Sequence, residues 1–371
     1  MNILLLGGTG SMGIPLCRML RECGHKVVVT SRSEHSENGV CFIRGNALNV
    51  NFLAQLMRNH YDAVVDFMVR SENGTRAAMD IILPSCDQYI FLSSSRVFAP
   101  INNTEEKCIT ESSLRLLDVC NDKQYVESNE YALEKAREEN LFFKSGYKNW
   151  TIVRPTLTYN AYRLQFAYGE KEDWLFRVLH DQSVIFPKDM ENVKTAMVYG
   201  CDVAKAILGL IGNRKALGES VNVVSEEYMT WGEILEVYKA IIEKKVGKRI
   251  KVFYVKNSLN LSKSLGNYYQ VKYARGINRC FSNKKLKYLI GDISFTPMKD
   301  GLEKCVSEFL NDVRFQTIDW RRQACYDRIS GELTSLKNIP TKKAVFFYLC
   351  HRYMPGWLLR RLYVLKQLLK N

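Results

Sequence analysis

The chain has 371 residues, 46% of them hydrophobic and 25% charged, which is enough to bury a large core in one big or two intimate domains and too apolar for disorder. No apolar run reaches the ~20 residues that a membrane-crossing helix needs, and the eleven cysteines show no CxxC pair or metal-ligand spacing, so they are expected as reduced thiols of a cytosolic protein, with no disulfide and no metal. The net charge is +14, but eight basic residues lie between Lys337 and the end, where Asp and Glu are absent, which leaves +6 for the rest and argues against a nucleic-acid groove across the body.

The first stretch organises the rest. Asn2 to Leu6 reads as a buried parallel strand, and Leu4-Leu5-Leu6 runs straight into glycines, unlike a leader peptide. Gly7-Gly8-Thr9-Gly10-Ser11-Met12-Gly13 then turns into a helix over Ser11 to Glu22, with Pro15 near its start. Strands are expected at Lys26–Ser31, Val40–Ile43, Asp62–Phe67, Gln88–Ser93 and Trp150–Arg154, with helices at Phe52–Arg58, Thr75–Leu83 and Ser128–Lys144 between them. β-Branched runs alternating with helical patterns predict repeated βα units and a parallel sheet: an α/β, Rossmann-type, doubly wound fold.

After Pro155 the spacing becomes irregular, as expected of a smaller substrate lobe. Helices are predicted at Val203–Ile211, Trp231–Lys244 and Gly301–Leu310, with a strand at Ser220–Val224, and residues 257–279 carry no assignable pattern. The expected organisation is a dinucleotide-binding domain over 1–155, its sheet completed by later segments, a substrate lobe over 156–310, and a basic amphipathic helical extension over 311–371.

Three stretches carry chemistry. A glycine turn entering a helix suits a pyrophosphate, because the backbone can approach closely and the helix N-terminus offers free N–H groups. The second strand ends in Ser31 and Arg32, a hydroxyl and a guanidinium with no carboxylate for a ribose 2′-hydroxyl, which favours NADP over NAD. Tyr131 and Lys135 stand four apart in a helical pattern and share a face. A nearby ammonium stabilises a phenolate, so such a pair can move a proton to or from a substrate hydroxyl. Ser93-Ser94-Ser95 closes the fifth strand, where an open sheet exposes its ligand edge.

In this order and spacing, the Gly7, Gly10 and Gly13 turn, Ser93 to Val97, Tyr131 with Lys135, and Arg154-Pro155-Thr156 resemble the extended branch of the short-chain dehydrogenase/reductase superfamily, the NAD(P)-dependent nucleotide-sugar epimerases, dehydratases and reductases. The resemblance covers about residues 1–310. It implies Ser94 as the catalytic serine, three residues before Val97, Tyr131 as acid/base, and Lys135 as the group that holds the ribose and tunes Tyr131. It further implies Ser11 and Met12 at the pyrophosphate, Asn46 and Ala47 flanking adenine, Phe67, Met68 and Val69 along the dinucleotide, and Pro155 near the nicotinamide.

The departures narrow the activity. Asn46 stands where the family usually has an aspartate. Ser95 and Arg96 stand where 4,6-dehydratases carry an acid pair, which argues against water expulsion and leaves an epimerase or a ketosugar reductase acting on a nucleotide-linked or lipid-linked sugar. The alternative is a non-catalytic Rossmann protein that senses dinucleotide or binds RNA. Trp174, Phe176, Arg177, Lys188 and Arg163 are candidates for substrate contacts, and Asp202 reads as a helix cap. The tail alternates basic residues, aromatics and leucines: Lys342 to Met354, then Trp357 to Leu369 with Leu358, Leu362, Leu365 and Leu369 on one face. It fits either a helix lying on the anionic inner face of a membrane or packing on the body or on a second subunit, as in a homodimer. A cytoplasmic, peripherally attached protein is the expectation.

Overall fold

Ile3, Leu4, Leu5 and Leu6 are all fully buried in the first strand, β1 (Asn2–Leu6). An apolar run without alternation is what a parallel strand covered on both faces requires. β1 leads through the glycine turn into α1 (Gly13–Glu22), followed by β2 (Lys26–Ser31), β3 (Val40–Arg44), α2 (Val50–Leu56), β4 (Ala63–Asp66), α3 (Glu72–Ile82), β5 (Tyr89–Leu92), α4 (Tyr131–Lys144), β6 (Trp150–Pro155) and, later, β7 (Glu219–Val223). The computed structural model describes residues 1–101, 108–356 and 358–359.

These strands form one sheet in the order β7-β6-β5-β4-β1-β2-β3, and every pairing is parallel. The reversal of strand order beside β1 is where such a sheet opens its ligand crevice. Successive β1 side chains serve opposite faces. Ile3 and Leu5 pack with Leu16 and Leu20 of α1 and with Val203 and Ile207 of the helix Gly200–Leu210, whereas Leu4 and Leu6 pack with α2, α3 and α4 through Leu53, Met79 and Phe142.

The chain divides into two compact units. One comprises Met1–Asn160, Lys194–Met229 and Asn278–Gly301, and holds the whole sheet; the other comprises Ala161–Val193, Thr230–Ile277 and the chain from Leu302 onward. In the second unit the helix Trp320–Ser330 packs with Lys342–Tyr353, and Tyr348 donates to Asp327 at 2.6 Å. Among the described residues no helix is long and apolar enough to cross a membrane. The predicted leucine face at Leu362, Leu365 and Leu369 lies outside the described residues.

Several local expectations change. α3 starts three residues before the predicted Thr75, because Ser71 caps it by accepting from Gly74 N. α4 starts at Tyr131, not Ser128, because the Glu130 carboxylate accepts from Ala132 N at 2.8 Å. Asp202 is not a cap: it lies inside the first turn of its helix, 1% exposed, and accepts from Thr296 N at 2.7 Å. The patternless stretch contains a helix, Ser258–Leu265, capped by Asn257 and ended by left-handed Gly266. The expectation of no disulfide is overturned. Cys108 and Cys280 are bonded, 172 residues apart, because the adjoining bridge between Ile109 and Phe281 brings their Cα atoms to 4.6 Å.

Candidate active site

Each glycine of the first turn has its own physical reason. Gly7 has φ +69°, a left-handed conformation that glycine adopts without strain, and its N–H donates to Thr30 Oγ1 at 3.0 Å. A Cβ on Gly13 would lie 2.4 Å from the Gly8 carbonyl oxygen, so only glycine lets α1 sit this close to the turn. A Cβ on Gly10 would meet nothing within 4 Å. Gly10 therefore faces open space at the mouth of α1. That helix begins without a side-chain cap at Met12 and without an acidic residue in its first turn. A Cβ on Gly200 would lie 2.7 Å from the Ser11 carbonyl oxygen, so glycine there lets the helix Gly200–Leu210 start against the turn. Open space, uncapped N–H groups and the absence of negative charge fit a dinucleotide pyrophosphate.

On the far side of the turn, Ser31 is buried and accepts from Ser33 N at 3.2 Å, while Arg32 is exposed. A carboxylate does stand in that loop, Glu34, but it is paired with Arg44 at 2.8 Å. The Asn46 side chain accepts from Leu48 N at 3.1 Å, and Ala47 is buried beside it. Phe67 and Met68 are half-buried, Met68 lying over Gly7, while Val69 is 64% exposed. Their loop is anchored by a buried clamp that sequence reasoning missed. Asp66 accepts from Arg70 at 2.6 and 2.8 Å, from Tyr89 OH at 2.7 Å and from Met68 N at 2.9 Å, and Arg70 also donates to the Ala47 carbonyl at 3.0 Å. The i, i+4 spacing of Asp66 and Arg70 was visible, but reads as a surface pair until β4 is known to end at Asp66.

At the end of β5 the three serines separate. Ser93 donates to Glu139 at 2.6 Å and is thereby committed to the core. Ser94 Oγ accepts from Arg96 N at 3.2 Å and keeps its proton for another acceptor. The Arg96 guanidinium pairs with Glu130 and lies 5.5 Å from the centroid of the Tyr131 ring. Ser94 thus borders the Arg96 backbone and Tyr131 its guanidinium, and Tyr131, the first residue of α4, is 38% exposed. Behind the loop lies Arg279, 9% exposed, donating to the carbonyls of Ser95 at 2.9 Å and Phe98 at 3.1 Å. Burial, with Arg96 adding like-charge repulsion, lowers the Arg279 pKa to about 9.

Lys135 is only 2% exposed. Its ammonium bonds Glu138 at 2.8 Å and lies 4.5 Å from the Phe91 ring centroid. Burial holds the Glu138 carboxyl above the usual carboxylate range against the pull of Lys135, and Glu138 Oε1 has no hydrogen-bond partner. Glu139, next in sequence, is saturated instead by Ser93, Arg115 and both Nε and Nη2 of Arg154. Pro155 closes β6, buried and opposite Val223. Glu138 and Arg279 carry no sequence signal that marks them out, because the burial that gives each its meaning comes from residues far away in the chain.

The proposed substrate-contact candidates divide. Trp174, Phe176 and Arg177 are buried in the core of the second unit, so they do not face a ligand. Lys188 is exposed and pairs with Glu191 at 2.7 Å, and Arg163 pairs with Glu170 at 3.3 Å.

A doubly wound parallel sheet that opens beside β1, with a glycine turn there and a tyrosine/lysine helix after β5, defines the Rossmann class of the extended short-chain dehydrogenases/reductases. The family model for the NAD-dependent epimerase/dehydratase family matches residues 3–223, and the chain belongs to that family. Among curated proteins, the chloroplast stem-loop binding protein of 41 kDa b of Arabidopsis thaliana is 25% identical over 248 residues, covering 62% of this chain and 60% of that protein's length. The fold matches dTDP-glucose 4,6-dehydratase of Bacillus anthracis with TM-score 0.64 at 16% identity, over 84% of this chain and 97% of the other. It also matches UDP-glucose 4-epimerase of Thermotoga maritima with TM-score 0.63 at 18% identity, over 85% of this chain and all of the other (100%).

Proposed function

We propose that the protein is an NAD(P)-dependent epimerase or ketosugar reductase of a nucleotide-linked or lipid-linked sugar, with Ser94, Tyr131 and Lys135 as its catalytic set. The observation that supports this reading is that Ser94 and Tyr131 both border Arg96, the first at its backbone and the second at its guanidinium, in a sheet whose first turn leaves open space at Gly10. When bound, the dinucleotide supplies hydride donor or acceptor capacity. Gly10 and the N–H groups of α1 hold its phosphates, and Ser31 and Arg32 suit the extra phosphate of NADP. Ser94 hydrogen-bonds the reacting oxygen of the sugar, and Tyr131 takes or gives that oxygen's proton. Lys135, fixed by Glu138, sets the charge beneath them. No carboxylate stands at Ser95 or Arg96 to expel water, so the reaction stops at carbinol–ketone chemistry.

The relative in Arabidopsis thaliana is named as a stem-loop binding protein. That likeness supports a second reading, a Rossmann protein that binds RNA. The retained Tyr131 and Lys135 favour catalysis. Strong, salt-sensitive RNA binding without turnover of any sugar nucleotide would favour the alternative. On the helix Lys342–Tyr353, Phe346 and Tyr353 are each 63% exposed beside Lys342, Lys343 and Arg352, which supports contact with an anionic membrane surface. Sedimentation with anionic vesicles tests it.

The first test is mass spectrometry of the denatured protein for released dinucleotide. Retained NAD⁺ or NADP⁺ supports an epimerase that recycles it in place; a dinucleotide that exchanges, with NADPH binding weakened in Arg32→Ala, supports a reductase. Tyr131→Phe should lower turnover by about 10²–10⁴-fold with binding intact. Unchanged turnover would remove Tyr131 from the mechanism.

A further inference from the structure

Among the described residues, the loop after β5 gathers two arginines and one paired carboxylate. Arg96 and Arg279 share it, and Glu130 is the carboxylate paired with Arg96. Arg279 meets the carbonyls of Ser95 and Phe98 and the face of Phe281 at 4.9 Å, with no ion-pair partner among the described residues. The Nε atoms of both arginines are buried without a hydrogen-bond partner. A buried cation without an acid is costly unless an anion lies near it. A guanidinium is also the group best shaped to take a carboxylate.

The position of the charge selects the anion. Arg96 N bonds Ser94 Oγ at 3.2 Å, and its guanidinium lies 5.5 Å from the Tyr131 ring centroid. An anion on the Arg96 guanidinium therefore lies beside the Tyr131 ring, on the residue whose backbone N–H holds Ser94. A pyrophosphate on the Gly7–Gly13 turn belongs instead to β1, two strands away in the sheet. In a hexuronate the carboxylate is borne by the carbon adjacent to the C4 carbinol. Holding the C4 oxygen on the two hydroxyls places that carboxylate beside Arg96.

We propose that Arg96, backed by Arg279, forms a carboxylate subsite, so that the preferred substrate is a nucleotide-linked uronic acid and not the corresponding neutral hexose. This rests on the reading of the protein as a sugar-nucleotide enzyme. Arg96 is the contact; Arg279 is a positioning residue, holding the Ser95–Phe98 backbone and adding field from behind. Glu130 holds Nη2 of the Arg96 guanidinium, and the side chain as a whole stays 14% exposed.

The experiment is calorimetric titration of the full chain, saturated with NAD⁺, with UDP-glucuronate and with UDP-glucose. The expected result is binding of UDP-glucuronate about ten- to a hundredfold tighter than UDP-glucose, a preference abolished in Arg96→Gln and reduced in Arg279→Gln, with NAD⁺ affinity unchanged in both. Equal affinity of the wild-type protein for the two sugars overturns the subsite and leaves the sugar-nucleotide reading standing. So does a preference that survives Arg96→Gln. Binding of NAD⁺ with no binding of either sugar nucleotide overturns that reading, and the subsite with it. The wild-type comparison alone decides the matter if Arg96→Gln fails to fold.

Discussion

Arg177 and Arg279 are both buried arginines, one in each unit, and their surroundings differ completely. Arg177 donates to the Ser183 carbonyl at 2.6 Å, to Gln323 at 3.2 Å, to Asp327 at 2.8 Å and to Glu332 at 2.9 Å. Asp327 in turn accepts from Gln182, from Thr334 N and Oγ1, and from Tyr348. Every donor finds an acceptor, so the network welds the helices Lys171–Leu179, Trp320–Ser330 and Lys342–Tyr353 together. Arg279 meets two carbonyls and, among the described residues, no acid. A saturated polar cluster holds a fold; a buried cation that keeps an unmade bond contributes less to holding it.

Substitution should break the comparison open. Arg177→Met leaves Asp327 and Glu332 without their cation, and removing one partner of a buried pair costs about 3–5 kcal/mol. Arg279→Met removes a cation that has no acid, so the two lost carbonyl bonds are largely offset, and the cost should stay below about 1 kcal/mol. Urea unfolding of both variants measures the difference. Equal losses would mean that Arg279 is as structural as Arg177.

The same contrast separates two glycines of one turn. Gly13→Ala forces a methyl into the Gly8 backbone and should cost about 1–3 kcal/mol of stability. Gly10→Ala meets no protein atom within 4 Å, so unfolding should be unaffected, while dinucleotide affinity falls by about tenfold or more. Loss of affinity without loss of stability would mark Gly10 as the point of phosphate approach. Unchanged affinity would move the phosphates elsewhere.

How far the sequence could be read follows from the same distinction. β1, the glycine turn and the alternation of strands and helices were legible because each is a local pattern whose partners lie within a few residues. The helix Ser258–Leu265 was also signalled, by Asn257 before it and Gly266 after it, though polar and aromatic composition hid the pattern. Arg177 was read as a substrate contact because its charge is visible in the sequence and its acids, 150 and 155 residues away, are not. Cys108 and Cys280 escaped for the same reason. Glu138 and Glu139 are adjacent and identical in type, yet one faces Lys135 and the other Arg154. Only the turn of α4 against β5 and β6 decides which.

The smallest effect tests the saturated network by pH. Burial of Asp327 opposes ionisation, but hydrogen bonds from Thr334 and Tyr348 and the charge of Arg177 hold its carboxyl below the usual carboxylate range. A carboxyl with a depressed folded value binds its proton more readily when unfolded. Its contribution is therefore complete above the unfolded value, about 3.9, and is lost as pH falls through the folded one. Asp327→Asn keeps the shape and removes the charge. It should cost about 1–2 kcal/mol at pH 7, and the gap to the wild-type protein should close as pH falls below about 4, where the protonated carboxyl resembles the amide. Urea unfolding of the pair at a series of pH values gives that gap directly. A gap independent of pH would mean that Asp327 stabilises this unit by shape and hydrogen bonding alone, with its ion pair to Arg177 contributing nothing net.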